Sequence, residues 1–100
     1  SPHEFISRFG SQLSMSQQDI ATCVMLSKYL YEEDILRDNS PTSSAAGIIS
    51  YYCNTQGLDI SKKYIANTCG VSEVTVTKSL KHLIKYDKVI QDNYFLTANV

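Results

Sequence analysis

Apolar side chains recur along this chain at the three- and four-residue spacing of amphipathic helices, and polar caps, prolines and glycines punctuate them. Ser1, Pro2 and Glu4 offer an N-cap serine, a proline at the first helical position and a capping-box glutamate. Ile6, Phe9 and Leu13 follow at i, i+3, i+7, with Phe5 widening the stripe, so a helix over 2–12 with a core face is predicted. Ser16 precedes a second run, in which Ile20, Cys23, Val24, Leu30 and Tyr31 recur at helical spacing. Met25, Leu26 and Tyr29 broaden its apolar surface, which predicts burial on more than one side. Glu32-Glu33-Asp34 and Arg37-Asp38-Asn39 end this helix.

Ser40-Pro41 supplies the next cap and first-turn proline, and a third helix is predicted over 41–56 with Gly57 as its C-cap. Ala45, Ile48, Ile49 and Tyr52 form its stripe, and the small residues Ser44-Ala45-Ala46-Gly47 allow close backbone approach. Gly47 costs about 1 kcal/mol of helix propensity relative to alanine, which points to a packing reason and to a central position for this helix. Two shorter helices follow. Ser61 caps one carrying Ile65, Ala66 and Cys69, and Ser72 caps one carrying Val76, Leu80, Leu83 and Ile84, with Gly70-Val71 as the turn between them. The remainder, around Val89-Ile90 and Tyr94-Phe95-Leu96, is left open between a short hairpin, a helix and an extended tail. Among 100 residues, 43% hydrophobic, this is one all-α domain of five helices around a central one, spanning 1–100, with no repeat or linker.

Charge changes the picture by its distribution. The net charge of -1 argues against a nucleic-acid protein, but residues 1–60 hold Arg8, Lys28 and Arg37 against seven acids, a net of -4. Residues 61–88 hold six lysines against Glu73 and Asp87, a net of +4. No apolar run reaches the roughly 18 residues of a membrane span and no secretory signal opens the chain, so a soluble, intracellular protein without membrane contact is expected. Cys23, Cys53 and Cys69 lack metal-site or disulfide spacing and are expected to be buried thiols, with no metal and no cofactor. His3 and His82 have no catalytic partner at motif spacing and there is no glycine-rich phosphate loop, which sets enzymes aside. His82 reads as a core-boundary residue, and Tyr29, Tyr31, Tyr51, Tyr52 and Tyr64 as core-edge packing.

The segment 61–87 matches a helix-turn-helix: Ala66 where the helices cross, Gly70 four residues on for the turn, and Val76 as a buried aliphatic six beyond it. Opposite the Val76/Leu80/Leu83 stripe the second helix presents Val74, Thr77, Lys78, Lys81, Lys85 and Lys88, predicted as one continuous face. In a recognition helix the first residues meet base edges, so Val74 is placed for a thymine methyl, and Thr77 and Lys78 for base-edge acceptors. Lys81, Lys62 and Lys63 are then phosphate contacts, and the free N–H groups after Ser72, with Thr75 in the first turn, make a phosphate site.

Three motifs in order make the chain resemble the second cyclin-like repeat of transcription factor IIB: Phe5-Ile6-Ser7-Arg8-Phe9, Ser40-Pro41 with Ala45-Ala46, and Ile65-Ala66 through Gly70-Val71 to Val74-Thr75-Val76. The resemblance implies the five-helix cyclin-like fold. It also implies a general initiation factor module that binds promoter double-stranded DNA beside the TATA element and assembles with TATA-binding protein and RNA polymerase. The site of action would be nuclear, or a cytoplasmic factory for a viral homologue. The family reads bases with the valine matching Val74 and an arginine where this chain has Thr77; that loss would forfeit roughly 1 to 3 kcal/mol of discrimination at a guanine, leaving Lys78 or an A/T-rich site as the substitute. The zinc ribbon, linker and first repeat of a full factor are absent from these 100 residues, which implies a fragment, and the divergence suits a viral or early-branching homologue. Two other readings use the same residues: a regulatory-cyclin type of protein-interaction module, and a winged helix-turn-helix with residues 88–96 as its wing.

Overall fold

The computed structural model describes residues 2–36 and 39–94. It holds six helices in these residues: α1 (Pro2–Gln12), α2 (Gln17–Glu32), α3 (Pro41–Gln56), α4 (Lys62–Cys69), α5 (Glu73–Ile84) and α6 (Asp87–Tyr94). The expected Ser1 cap, the Arg37-Asp38 stop and the Phe95-Leu96 pair lie outside the described residues. No described helix is long and apolar enough to cross a membrane.

Serine hydroxyls start four of the helices as the sequence predicts. Ser16, Ser40, Ser61 and Ser72 all have extended backbones and accept from the N–H three residues on, satisfying one of the orphan donors of the first turn. The ends are equally regular. Met15 N–H bonds Gly10 O at 2.9 Å, Ile35 bonds Leu30 O at 2.9 Å, Leu58 bonds Cys53 O at 2.9 Å and Val71 bonds Ala66 O at 3.1 Å. Each bond closes a Schellman motif over a left-handed residue: Ser14 (φ 60°), Asp34 (φ 58°), Gly57 (φ 68°) and Gly70 (φ 70°). The residue after each turn is apolar and packs on or into the core. Ser14 carries a side chain where glycine is favoured, at a cost of roughly 1–2 kcal/mol. Ser14→Gly is therefore expected to raise stability by about 0.5–1 kcal/mol after glycine's larger unfolded-state entropy is subtracted. A thermal melt checks this: a rise of a few degrees is expected, and an unchanged or lower midpoint contradicts it.

The third helix is central. Every residue from Ser44 to Cys53 is buried, and α3 touches α1, α2, α4 and α5, most extensively α5. Gly47 explains the closeness of that last contact, because a Cβ there would lie 2.5 Å from Ser79 Cβ on α5. Two tyrosines of α3 fix its neighbours. Tyr51 OH donates to Asp87 at the start of α6, and Tyr52 OH donates to Asp19 in the first turn of α2. Burial first, and the adjacent carboxylate second, push both phenols well above their ordinary pKa, so they remain donors.

Two expectations change and one open question closes. The second helix is buried on one face only: Ile20, Cys23, Leu26 and Leu30 turn inward, while Met25 and Tyr31 are 58% and 63% exposed. Ile84 is not part of the core stripe of α5, being 47% exposed. Where the tail was left open, the described residues form a sixth helix. Ile90 on α6 is fully buried, and Gln91 Nε2 adds a 3.2 Å bond to Asp87 Oδ1 beside Tyr51. A winged helix needs a strand at Val89-Ile90, and these residues are helical.

Candidate nucleic-acid interface

Helices α4 and α5 pack on each other and are joined by the short turn Gly70-Val71-Ser72, where the sequence places a helix-turn-helix. Ala66 and Val76, 2% and 0% exposed, are buried where these helices pack on each other and on α3. Gly70 sits in the left-handed region that its turn requires. Helix α3 packs on both members of the pair and α1 also touches α4.

On the outer face of the pair Val74 is 63% exposed, a large apolar side chain left in water at the first turn of α5. Lys78 and Lys81 are exposed beside it and Thr77 is half-buried. These four lie together at i, i+3, i+4, i+7, as predicted. The face is shorter than predicted. Helix α5 ends at Ile84 with Lys85 as its C-cap, and Lys88 lies in α6, tied to α3 by the Tyr51–Asp87 bond, so the unbroken helical spacing that placed Lys88 on the face does not reach it. There it pairs with Asp92 at 3.4 Å, an exposed i,i+4 contact worth little.

Ser72 and Thr75 have structural work of their own. Ser72 Oγ accepts from Thr75 N–H at 3.1 Å and donates to Thr75 Oγ1 at 3.0 Å. The first-turn amides of Glu73 and Val74 precede these bonds and remain available, but the Glu73 carboxylate in the same turn opposes a phosphate there. Lys62 and Lys63 occupy the first turn of α4, with no acidic residue to offset them. Cations at a helix N-terminus oppose the macrodipole, at roughly 0.3–1 kcal/mol each, so stability does not account for their position. Lys81, in the last turn of α5, is by contrast favourably placed for the helix itself.

Sequence reasoning missed a second stripe on α5. Thr75, Lys78, Ser79 and His82 also recur at i, i+3, i+4, i+7, and they face the start of α3 across a groove whose opposite wall includes Ser40 and Ser43. His82 is half-buried and its Nε2 lies 2.6 Å from Ile35 O, which makes it the boundary residue expected and anchors α5 to the segment after α2. The polar spacing was visible in the sequence; its partners, more than 30 positions away, were not.

Other candidate chemistry is buried. Burial pushes the Cys53 and Cys69 thiols up to about 11, and burial with Cys53 nearby pushes Cys23 higher still, so all three are protonated at neutral pH. Among the tyrosines expected at the core edge, Tyr51 and Tyr52 are buried and Tyr29 partly so, whereas Tyr31 and Tyr64 are more than half exposed.

The family model described as transcription factor TFIIB repeat matches residues 1–86. No curated protein and no solved structure matches the chain.

Proposed function

The chain belongs to the transcription factor TFIIB repeat family, a non-enzymatic family of cyclin-like modules acting with DNA and the transcription machinery, and on that premise we propose that it binds promoter DNA through α4 and α5. The observation that carries this reading is the exposed Val74–Thr77–Lys78–Lys81 face on the second helix of a helix-turn-helix. A 63% exposed valine amid lysines serves no packing purpose, and it suits contact with a thymine methyl. Thr77 and Lys78 meet base edges in this reading, while Lys81, Lys62 and Lys63 neutralise phosphates. Ser72 and Thr75 hold the helix start that delivers them.

The module stands in the role of a second repeat. It docks on DNA flanking a TATA element and assembles with TATA-binding protein and RNA polymerase, at the nuclear or other intracellular site where that polymerase works. Because few phosphates are neutralised, the affinity of the chain alone is weak and falls steeply with salt. The test is titration of TATA-flanking duplexes, with and without TATA-binding protein, across a salt series. Binding that strengthens with TATA-binding protein and weakens with salt is expected, and no binding at the lowest salt in either setting contradicts the reading.

A further inference from the structure

The groove between the N-terminus of α3 and the second stripe of α5 is built from donors. Its lining includes Ser40, Ser43, Thr75, Lys78, Ser79 and His82, encloses about 380 Å³, and contains no acidic residue among the described residues. Its hydrogen-bond accounting leaves protons over. Ser40 Oγ accepts from Ser43 N–H at 3.2 Å and donates to Ser43 Oγ at 2.8 Å, so the Ser43 hydroxyl proton is free. Thr75 Oγ1 accepts from Ser72 and likewise retains its own proton. Ser79 is only 5% exposed, lines the groove, and has no hydrogen-bond partner among the described residues. That hydroxyl opens onto the groove, where a ligand can accept from it. Lys78 adds a positive charge unpaired among the described residues, and the first turn of the 16-residue α3 adds the positive end of its dipole.

We infer that this groove is a phosphate-binding pocket, and that it seats a backbone phosphate of the bound duplex at the border of the recognition face. The second half of the inference rests on the DNA-binding reading; the first does not. Lys78 links the two, since it lies both on the outer face and in the groove, so a duplex on the Val74–Lys81 surface brings a strand past the groove mouth. The hydroxyls and the helix dipole supply what a phosphate needs and a carboxylate-bearing wall would refuse.

Ser43→Asp tests it without sacrificing the fold, because an acid at the third position of a helix favours the dipole and so should keep or raise the thermal midpoint. Inorganic phosphate added to the chain is expected to shift the amide resonances of Ser43, Thr75 and Ser79, and Ser43→Asp to abolish those shifts. With duplex, Ser43→Asp is expected to lower affinity about three- to fivefold at moderate salt and to reduce the slope of log affinity against log salt by about 0.9, one phosphate's worth. Ser79→Ala should weaken the phosphate shifts in the same direction. Groove shifts with phosphate but an unchanged duplex slope in Ser43→Asp would assign the pocket to a free anion and overturn the backbone contact. An absence of groove shifts, with the slope unchanged and the original chain still binding duplex, overturns the pocket and leaves the DNA-binding reading standing. Groove shifts in a chain that binds no duplex overturn the DNA-binding reading instead.

Discussion

Gly47→Val is expected to destabilise the chain by about 3 kcal/mol or more, enough to unfold a substantial fraction of a domain with the usual 5–15 kcal/mol of stability. The reason is geometric. An added Cβ at position 47 meets Ser79 Cβ at 2.5 Å and Ser79 Oγ at 3.3 Å, and the first of these belongs to the root of a side chain that cannot swing away. Helices α3 and α5 would have to separate along the most extensive contact in the fold. Even Gly47→Ala is informative by its sign. In an open helix interior the change stabilises by about 1 kcal/mol; here it should destabilise by about 1–2 kcal/mol. Removing the opposing atom should recover part of the loss, so Gly47→Ala combined with Ser79→Gly should cost less than the two single changes added together. Chemical denaturation of the four proteins checks the cycle, and strict additivity would contradict the close contact.

The second large effect is on binding. Lys78→Glu with Lys81→Glu is expected to weaken duplex affinity on the order of a hundredfold and to lower the salt slope by about 1 or more, as the base-edge contact of Lys78 and the phosphate contact of Lys81 are both replaced by negative charge. Both side chains are exposed, so the thermal midpoint should fall by no more than a few degrees, most of that from the loss of Lys81 at the C-terminal end of α5. This double variant also separates DNA binding from a cyclin-like protein-interaction role, since a protein partner gripped through the acidic half of the chain would still bind. Unchanged duplex affinity in a folded double variant would contradict the assignment of the α5 face.

Much of this architecture was legible because local chemistry specifies it. The serines at 16, 40, 61 and 72 announce helix starts, and Gly57 and Gly70 announce ends, with a hydrogen bond at each to match. The ends at Ser14 and Asp34 use the same motif without glycine, so the usual signal was missing; the apolar residue that follows each, Met15 and Ile35, was the cue left unused. Periodicity overstated α2, because Met25 and Tyr31 are apolar by type but fall outside its one buried face. Helix α6 was illegible for a different reason. It is held by Tyr51 reaching Asp87 across 36 positions and by the burial of Ile90, and no local pattern encodes a tertiary contact. The break between α5 and α6 also interrupts the helical spacing that had extended the face through Lys88. At the candidate interface, Val74 and the nearer lysines followed from helical spacing, whereas the polar groove on the flank of α5 depends on Ser40 and Ser43 being brought to it by the fold.

The most direct test of the central claim, that α5 and the start of α4 form the DNA-contacting surface, is a map of backbone amide shifts as duplex DNA is added to the chain at low salt. The account predicts the largest shifts at residues 72–81, with a second cluster at Lys62 and Lys63 and little change along α2. Binding whose shifts fall on Met25, Tyr31 and the acidic α2 surface, leaving residues 72–81 unmoved, would contradict it.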